Sequence, residues 1–163
     1  MAKGGENVIV VGEAVSDQRL AGATLVRPED LATFDAAGSV IALAEGALGA
    51  TSADVLEQQL KAGRPIFALN TTLADLELET GFLKASGLPK SPAADAKGQF
   101  SYVWLTYNER GDVAQSARGQ MPLDGAYFQA NLSQYSLLAR GEIADIASGG
   151  KVIPLEQYES SSP

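Results

Sequence analysis

Residues 45–51 read EGALGAT, a glycine-bearing loop between an apolar run and an amphipathic one. Gly46 and Gly49 permit a ligand to approach the backbone closely, and free N–H groups at a helix start suit an anion. Glu45 repels phosphate but suits a ribose hydroxyl or a metal ion. Thr51 adds a hydroxyl. The spacing is not GxGxxG, and no Lys follows the second glycine as a P-loop requires. A plain strand-to-helix turn accounts for the same residues.

Two other stretches carry polar groups to comparable positions. GEAVSD contains Gly12, Glu13 and Asp17 at the end of an apolar run. If the strands are neighbours, Glu13 and Asp17 join Glu45 in a carboxylate set able to hold Mg²⁺ through oxygen. A solvated polar loop explains them equally. Asn70, Thr71 and Thr72 follow a third apolar run and can hydrogen-bond a ligand at the same sheet edge. Capping of the next helix by Thr72 is a sufficient alternative. A different chemistry sits in FSYVWLTY, where Tyr102, Trp104 and Tyr107 offer rings for stacking or for a protein partner. Core packing and cross-strand pairing compete with that role.

The chain has no Cys and no His. Disulfides, thiolate nucleophiles, His-based zinc sites and a serine hydrolase with a His base are therefore excluded. Carboxylates, Lys, Arg, Tyr and hydroxyls remain, and they assemble no complete set of nucleophile, base and oxyanion donor. No catalytic residue, metal ligand or cofactor is assigned, and the reading leans away from an enzyme. Twenty acidic against 12 basic residues give a net charge of −8. The basic residues are scattered singly, so nucleic acid and anionic membrane are poor partners. No apolar stretch reaches membrane-spanning length, and MAKGGEN opens no secretory signal, which makes the cytoplasm the expected location.

These groups must be positioned by the elements around them. NVIVVGEAV, SVIALA and IFALN read as buried strands, and TLVRP as a short extended segment. Helices are expected over PEDLATFDAA, with Pro28 first and Gly38 as the stop, and between Ser52 and Gly63. In the latter, Thr51 or Ser52 caps and Ala53, Leu56 and Leu60 share a face. A third helix starts at Thr72, with Asp75 at the capping-box position, and closes at Gly87. Alternation of this kind argues for βαβ units and a mainly parallel sheet. The stretch from Lys84 to Gln99 is rich in Pro, Gly, Ala and Ser. Beyond it, FSYVWLTY, a turn at NERGD and VAQSAR suggest a hairpin. Phe100, Tyr102 and Trp104 share one face. ANLSQYSLLARGEIADI reads as a helix and KVIPLEQ as an edge strand.

The expected architecture is α/β. A mainly parallel, Rossmann-like core spans 7–87, a linker or loop 88–99, and a smaller hairpin-containing α+β extension, packed on the core, 100–158. The run VIALAEGALGATSADVLEQQLKAGRPIFALN, about a fifth of the chain, resembles the closing βαβ unit of the Rossmann-like domain in DprA and the wider SLOG superfamily. The matching residues are Glu45, Gly46, Thr51, Ala62, Gly63, Phe67 and Ala68. The resemblance implies nucleotide or single-stranded DNA binding, and where the family carries its glycine-rich phosphate motif this chain reads VGEAVSDQR.

Three functions follow as expectations. The first is a non-catalytic module for a small ligand, a nucleotide or anion among the candidates, or for a protein partner. Its ligand site comprises Gly12, Glu13, Asp17, Glu45, Gly46, Gly49, Thr51, Asn70 and Thr72. The second is an assembly subunit or homo-oligomer acting through Tyr102, Trp104 and Tyr107, by edge pairing or dimerisation. The third is a carboxylate and Mg²⁺-dependent enzyme.

Overall fold

A computed structural model describes residues 7–157 apart from 14, 16, 17, 146 and 148. Its centre is a six-stranded sheet in the order β2-β1-β3-β4-β5-β6. β1 (Val8–Val11), β2 (Thr24–Val26), β3 (Val40–Leu43) and β4 (Ile66–Leu69) run parallel. β3 and β4 are buried at every position, which is why their sequences show no polar alternation. β5 (Gln99–Tyr107) pairs antiparallel with β4, and β6 (Val113–Pro122) returns antiparallel on β5.

Helices cover both faces. One face packs on α2 (Ala53–Lys61), α3 (Leu73–Glu79) and α4 (Phe82–Ser86) through Leu56, Leu60, Leu73, Leu76 and Phe82. The other packs on α5 (Tyr127–Ala139) through Phe128, Leu132, Tyr135 and Leu138. Each such side chain contributes roughly 1.5–3 kcal/mol on full burial. Phe67 of β4 centres an aromatic cluster on the α5 side. Its ring lies 5.8 Å from Phe100, 5.5 Å from Tyr102, 6.3 Å from Phe128 and 5.7 Å from Tyr135. Burial, followed by the proximity of Tyr102 and a hydrogen bond to it, pushes the Tyr135 phenol well above its ordinary value near 10.

Several expectations hold. Phe100, Tyr102 and Trp104 share the α5 face of β5, while Val103 and Leu105 face α2 and α3. The Thr72 hydroxyl accepts a hydrogen bond from the Asp75 N–H at 3.1 Å and caps α3. VAQSAR lies within β6, the hairpin partner of β5. Residues 88–97 carry no helix or strand, and Ser91 among them is tied into the fold: its backbone N–H and hydroxyl both donate to the Glu77 carboxylate.

Other expectations need correction. PEDLATFDAA forms a 3-10 helix over Pro28–Thr33, not a longer α-helix. Asp35 instead accepts a hydrogen bond from the Ala37 N–H, a local turn that competes with helix continuation. The EGALGAT loop contains a short helix, α1 (Ala47–Ala50). Ala53 is exposed, so the buried stripe of α2 rests on Leu56, Gln59 and Leu60. The last helix stops at Ala139. Gly141, with φ of 74°, turns the chain into β7 (Glu142–Asp145), which pairs antiparallel with β8 (Lys151–Pro154) in a separate two-stranded sheet. Residues 100–122 also belong to the same sheet as the first half, so β5 and β6 extend the core sheet directly. No helix of the described residues is long and apolar enough to cross a membrane.

Candidate functional site

β3 and β4 are parallel neighbours, so the loops that leave their carboxyl ends lie side by side. Between them opens a crevice of about 420 Å³, lined by Gly46, Leu48, Gly49, Asn70, Thr71, Thr72, Asp75, Glu79 and Ala96. The size falls in the usual range for small-molecule sites. Gly46, with φ of 84°, lets the chain turn sharply from β3 into α1, and nothing lies within 4 Å of where its side chain would be. At Gly46 the wall of the crevice is therefore bare backbone.

Asn70 forms the opposite side. It has φ of 51°, the sole non-glycine residue in the left-handed region among the described residues. Asn tolerates this conformation better than most residues, at some cost in energy. Its Oδ1 accepts a hydrogen bond from the Gly98 N–H at 2.8 Å. An N–H donor fixes which end of the amide faces Gly98, so the Nδ2 amino group points away from it. Thr71 donates its hydroxyl to the Leu69 carbonyl at 2.9 Å, and its own carbonyl accepts from the Ser101 hydroxyl. The rim is thereby braced by β4, β5 and the loop that carries Ala96 and Gly98.

The carboxylates of Asp75 and Glu79 stand one turn apart on α3 and both line the crevice. Like charges at this spacing are mildly destabilising in a helix. α1 and α3 are short, and the first turn of α3 already holds Thr72 and Asp75. The crevice is thus lined by the Asn70 amide, backbone at Gly46 and acidic groups, and no cation lines it.

The expected site residues separate as follows. Gly46, Gly49, Asn70 and Thr72 come together around the crevice. Glu45 is exposed at the end of β3, adjacent to Gly46. Gly12 serves packing: with φ of 112°, a side chain there would meet Ala47 at 3.1 Å and Ala44 at 3.2 Å. Thr51 is buried and donates its hydroxyl to the Ala47 carbonyl at 2.7 Å, so it closes α1 and caps nothing beyond it. Glu13 is exposed beyond β1, and Asp17 lies outside the described residues. Among the described residues, no three acidic groups gather in an arrangement fit for a metal ion. Leu48, Glu79 and Ala96 line the crevice without having been singled out in the sequence. The spacing of Glu79 from Asp75 was a readable signal, whereas Ala96 arrives through a long loop and had none.

The aromatic strand is internal. Tyr102 is 8% and Trp104 5% exposed, and the Tyr135 ring of α5 packs on both at 5.1 and 5.9 Å. The surface expected on these two residues is taken up by the protein's own helix. Tyr107 is half-buried and lines a second crevice of about 320 Å³ with Glu57, Lys61, Lys84 and Asp112. There Lys61 pairs with Glu57 at 3.1 Å.

Comparison with protein-family models, curated proteins and solved structures found no match to this chain.

Proposed function

We propose that the protein is a non-catalytic module that binds a small polar ligand in the crevice between the β3 and β4 loops. The observation that carries this reading is Asn70. Its backbone is held in a conformation that costs energy, and its amide is oriented by Gly98 so that an NH₂ group is left to donate. Strain of this kind persists where surrounding structure imposes it, and ligand sites are a common setting. The position also fits the rule that ligands bind beyond the carboxyl ends of parallel strands, and the SLOG-like resemblance points to the same loop.

The chemistry of the lining selects the ligand class. Asp75 and Glu79 disfavour a phosphate or carboxylate, which weakens the anion and nucleotide expectation. They accept hydrogen bonds from hydroxyl or ammonium groups, while Asn70 donates to a hydroxyl or carbonyl oxygen. A hydroxyl-rich molecule such as a nucleoside or sugar satisfies both sides.

The test is thermal unfolding with adenosine, ribose, spermidine and inorganic phosphate as separate probes. Adenosine or ribose should raise the midpoint of the wild-type protein, and phosphate should not. Asn70→Asp keeps the acceptor for Gly98 but exchanges the donor for an oxygen, so it should abolish the shift. No shift with adenosine, ribose or spermidine, or a shift that survives Asn70→Asp, overturns the reading.

A further inference from the structure

The two edges of the central sheet are unequal. β2 offers only three residues, whereas β6 offers ten. The orientation of the β6 backbone follows from hydrogen bonds on either side of β5. The Gln99 carbonyl accepts from Asn70 toward β4, and the Gly98 carbonyl accepts from Leu123 toward β6. Alternation along β5 then turns Phe100, Tyr102, Trp104 and Thr106 toward β6, where they face Met121, Gly119, Ala117 and Gln115. The intervening residues Ser116, Arg118 and Gln120 direct their backbone N–H and C=O groups outward, whereas Ala114 is the extra residue at the register shift. Among the described residues, no hydrogen bond engages those outward groups.

This edge also lacks the devices that usually block strand addition, namely exposed charge, a mid-strand proline or a central bulge. Its one charged residue, Arg118, turns beneath the sheet to Glu77 at 2.8 Å and to the Pro89 carbonyl at 2.7 Å. Gln120 turns the same way, donating to the Asp95 carbonyl and the Gln99 side chain. The register shift lies at the hairpin end, between Thr106 and Tyr107, and Pro122 lies at the far end. What remains is an uncharged rim of open backbone groups, and the occupant it fits is an extended strand.

We infer that β6 pairs antiparallel with β6 of a second copy of this chain about a two-fold axis at Ala117, joining the two sheets edge to edge. The strand is self-complementary in this register. Ser116 of each copy faces Arg118 of the other, so the outward N–H and C=O groups at the centre of both strands find partners. The close, non-hydrogen-bonded position on the axis falls to Ala117, whose side chain is small. A register centred on Arg118 sets two guanidinium groups opposite each other and is disfavoured. One centred on Ser116 sets Arg118 opposite Ala114, the extra residue at the register shift, and loses the paired bonds that Ser116 offers it. This surface is distinct from the crevice, and its test is independent of any ligand.

Sedimentation velocity from about 1 µM to about 300 µM reads the association directly. The wild-type mass should rise from that of one chain toward two. Ser116→Pro removes an outward N–H that β5 does not use, so circular dichroism should stay native while association weakens at least about tenfold. Ser116→Lys leaves the ladder intact, sets a cation against the second copy's Arg118 and should weaken association similarly. A chain that stays monomeric over the whole range overturns the inference. So does a dimer that forms equally well in the natively folded variants.

Discussion

Tyr102 lies directly across from Gly119, and the contact explains why β6 carries a glycine in the middle of a strand. A side-chain carbon at position 119 would stand 2.7 Å from the Tyr102 ring. A flexible neighbour could yield, but this ring is held by Phe67 at 5.5 Å, Phe100 at 6.2 Å and Tyr135 at 5.1 Å. The ring covers the bare backbone of the glycine and gains burial by doing so. Gly119→Ala should therefore destabilise the protein by about 1–3 kcal/mol, the usual cost of overpacking, although alanine suits a strand better than glycine does. Urea unfolding measures it. Gly119→Ala combined with Tyr102→Leu should recover part of the loss, because the smaller side chain frees the space. The polar residues at the crevice repeat this dependence on neighbours. Asn70 and Thr72 were legible as candidates because they follow a buried strand. The brace from Gly98 to Asn70 crosses 28 positions and left no mark in the local sequence.

At the scale of elements, α3 and the loop over residues 88–99 are fastened by one buried carboxylate. Glu77 is fully buried, with its oxygens taken by Arg118 and by the Ser91 N–H and hydroxyl. Arg118 in turn holds the Pro89 carbonyl, so β6, α3 and the loop meet at this pair. Removing one partner of a buried pair leaves an uncompensated charge. Arg118→Leu should cost about 3 kcal/mol, the low end of the range for such pairs because Arg118 is itself partly exposed. Glu77→Leu made together with Arg118→Leu should cost clearly less, and equal losses would contradict the account. The strands β1, β3 and β4 and the Thr72 cap were readable because burial on both faces and capping leave local signatures. Thr51 was not, since a hydroxyl that caps a following helix and one that closes a preceding helix look alike in sequence. The end of α5 was misread because Leu138 and Ile143 continue an apolar pattern across the break at Gly141.

For the whole molecule, the decisive contact is the antiparallel pairing of β4 with β5, which no local pattern announces. Read along the chain, residues 7–87 and 100–158 look like a core and an appendage. In space they share one sheet, and the Phe67 ring of the first half is packed among Phe100, Tyr102, Phe128 and Tyr135 of the second. Neither half can bury its side of this cluster alone, so the two should unfold together. Trp104 is the only tryptophan and reports on the second half, close to Tyr135. Far-UV circular dichroism reports on helices in both halves. In urea, the two signals should trace one coincident transition, as two-state unfolding requires. Phe67→Ala should lower stability by about 3–5 kcal/mol, the range for a buried phenylalanine. Because Phe67 lies in the first half and Trp104 in the second, the fluorescence midpoint should fall with the dichroism midpoint by the same amount. A fluorescence transition that keeps its wild-type midpoint while the dichroism splits in two would mean that the halves are energetically separate despite their common sheet.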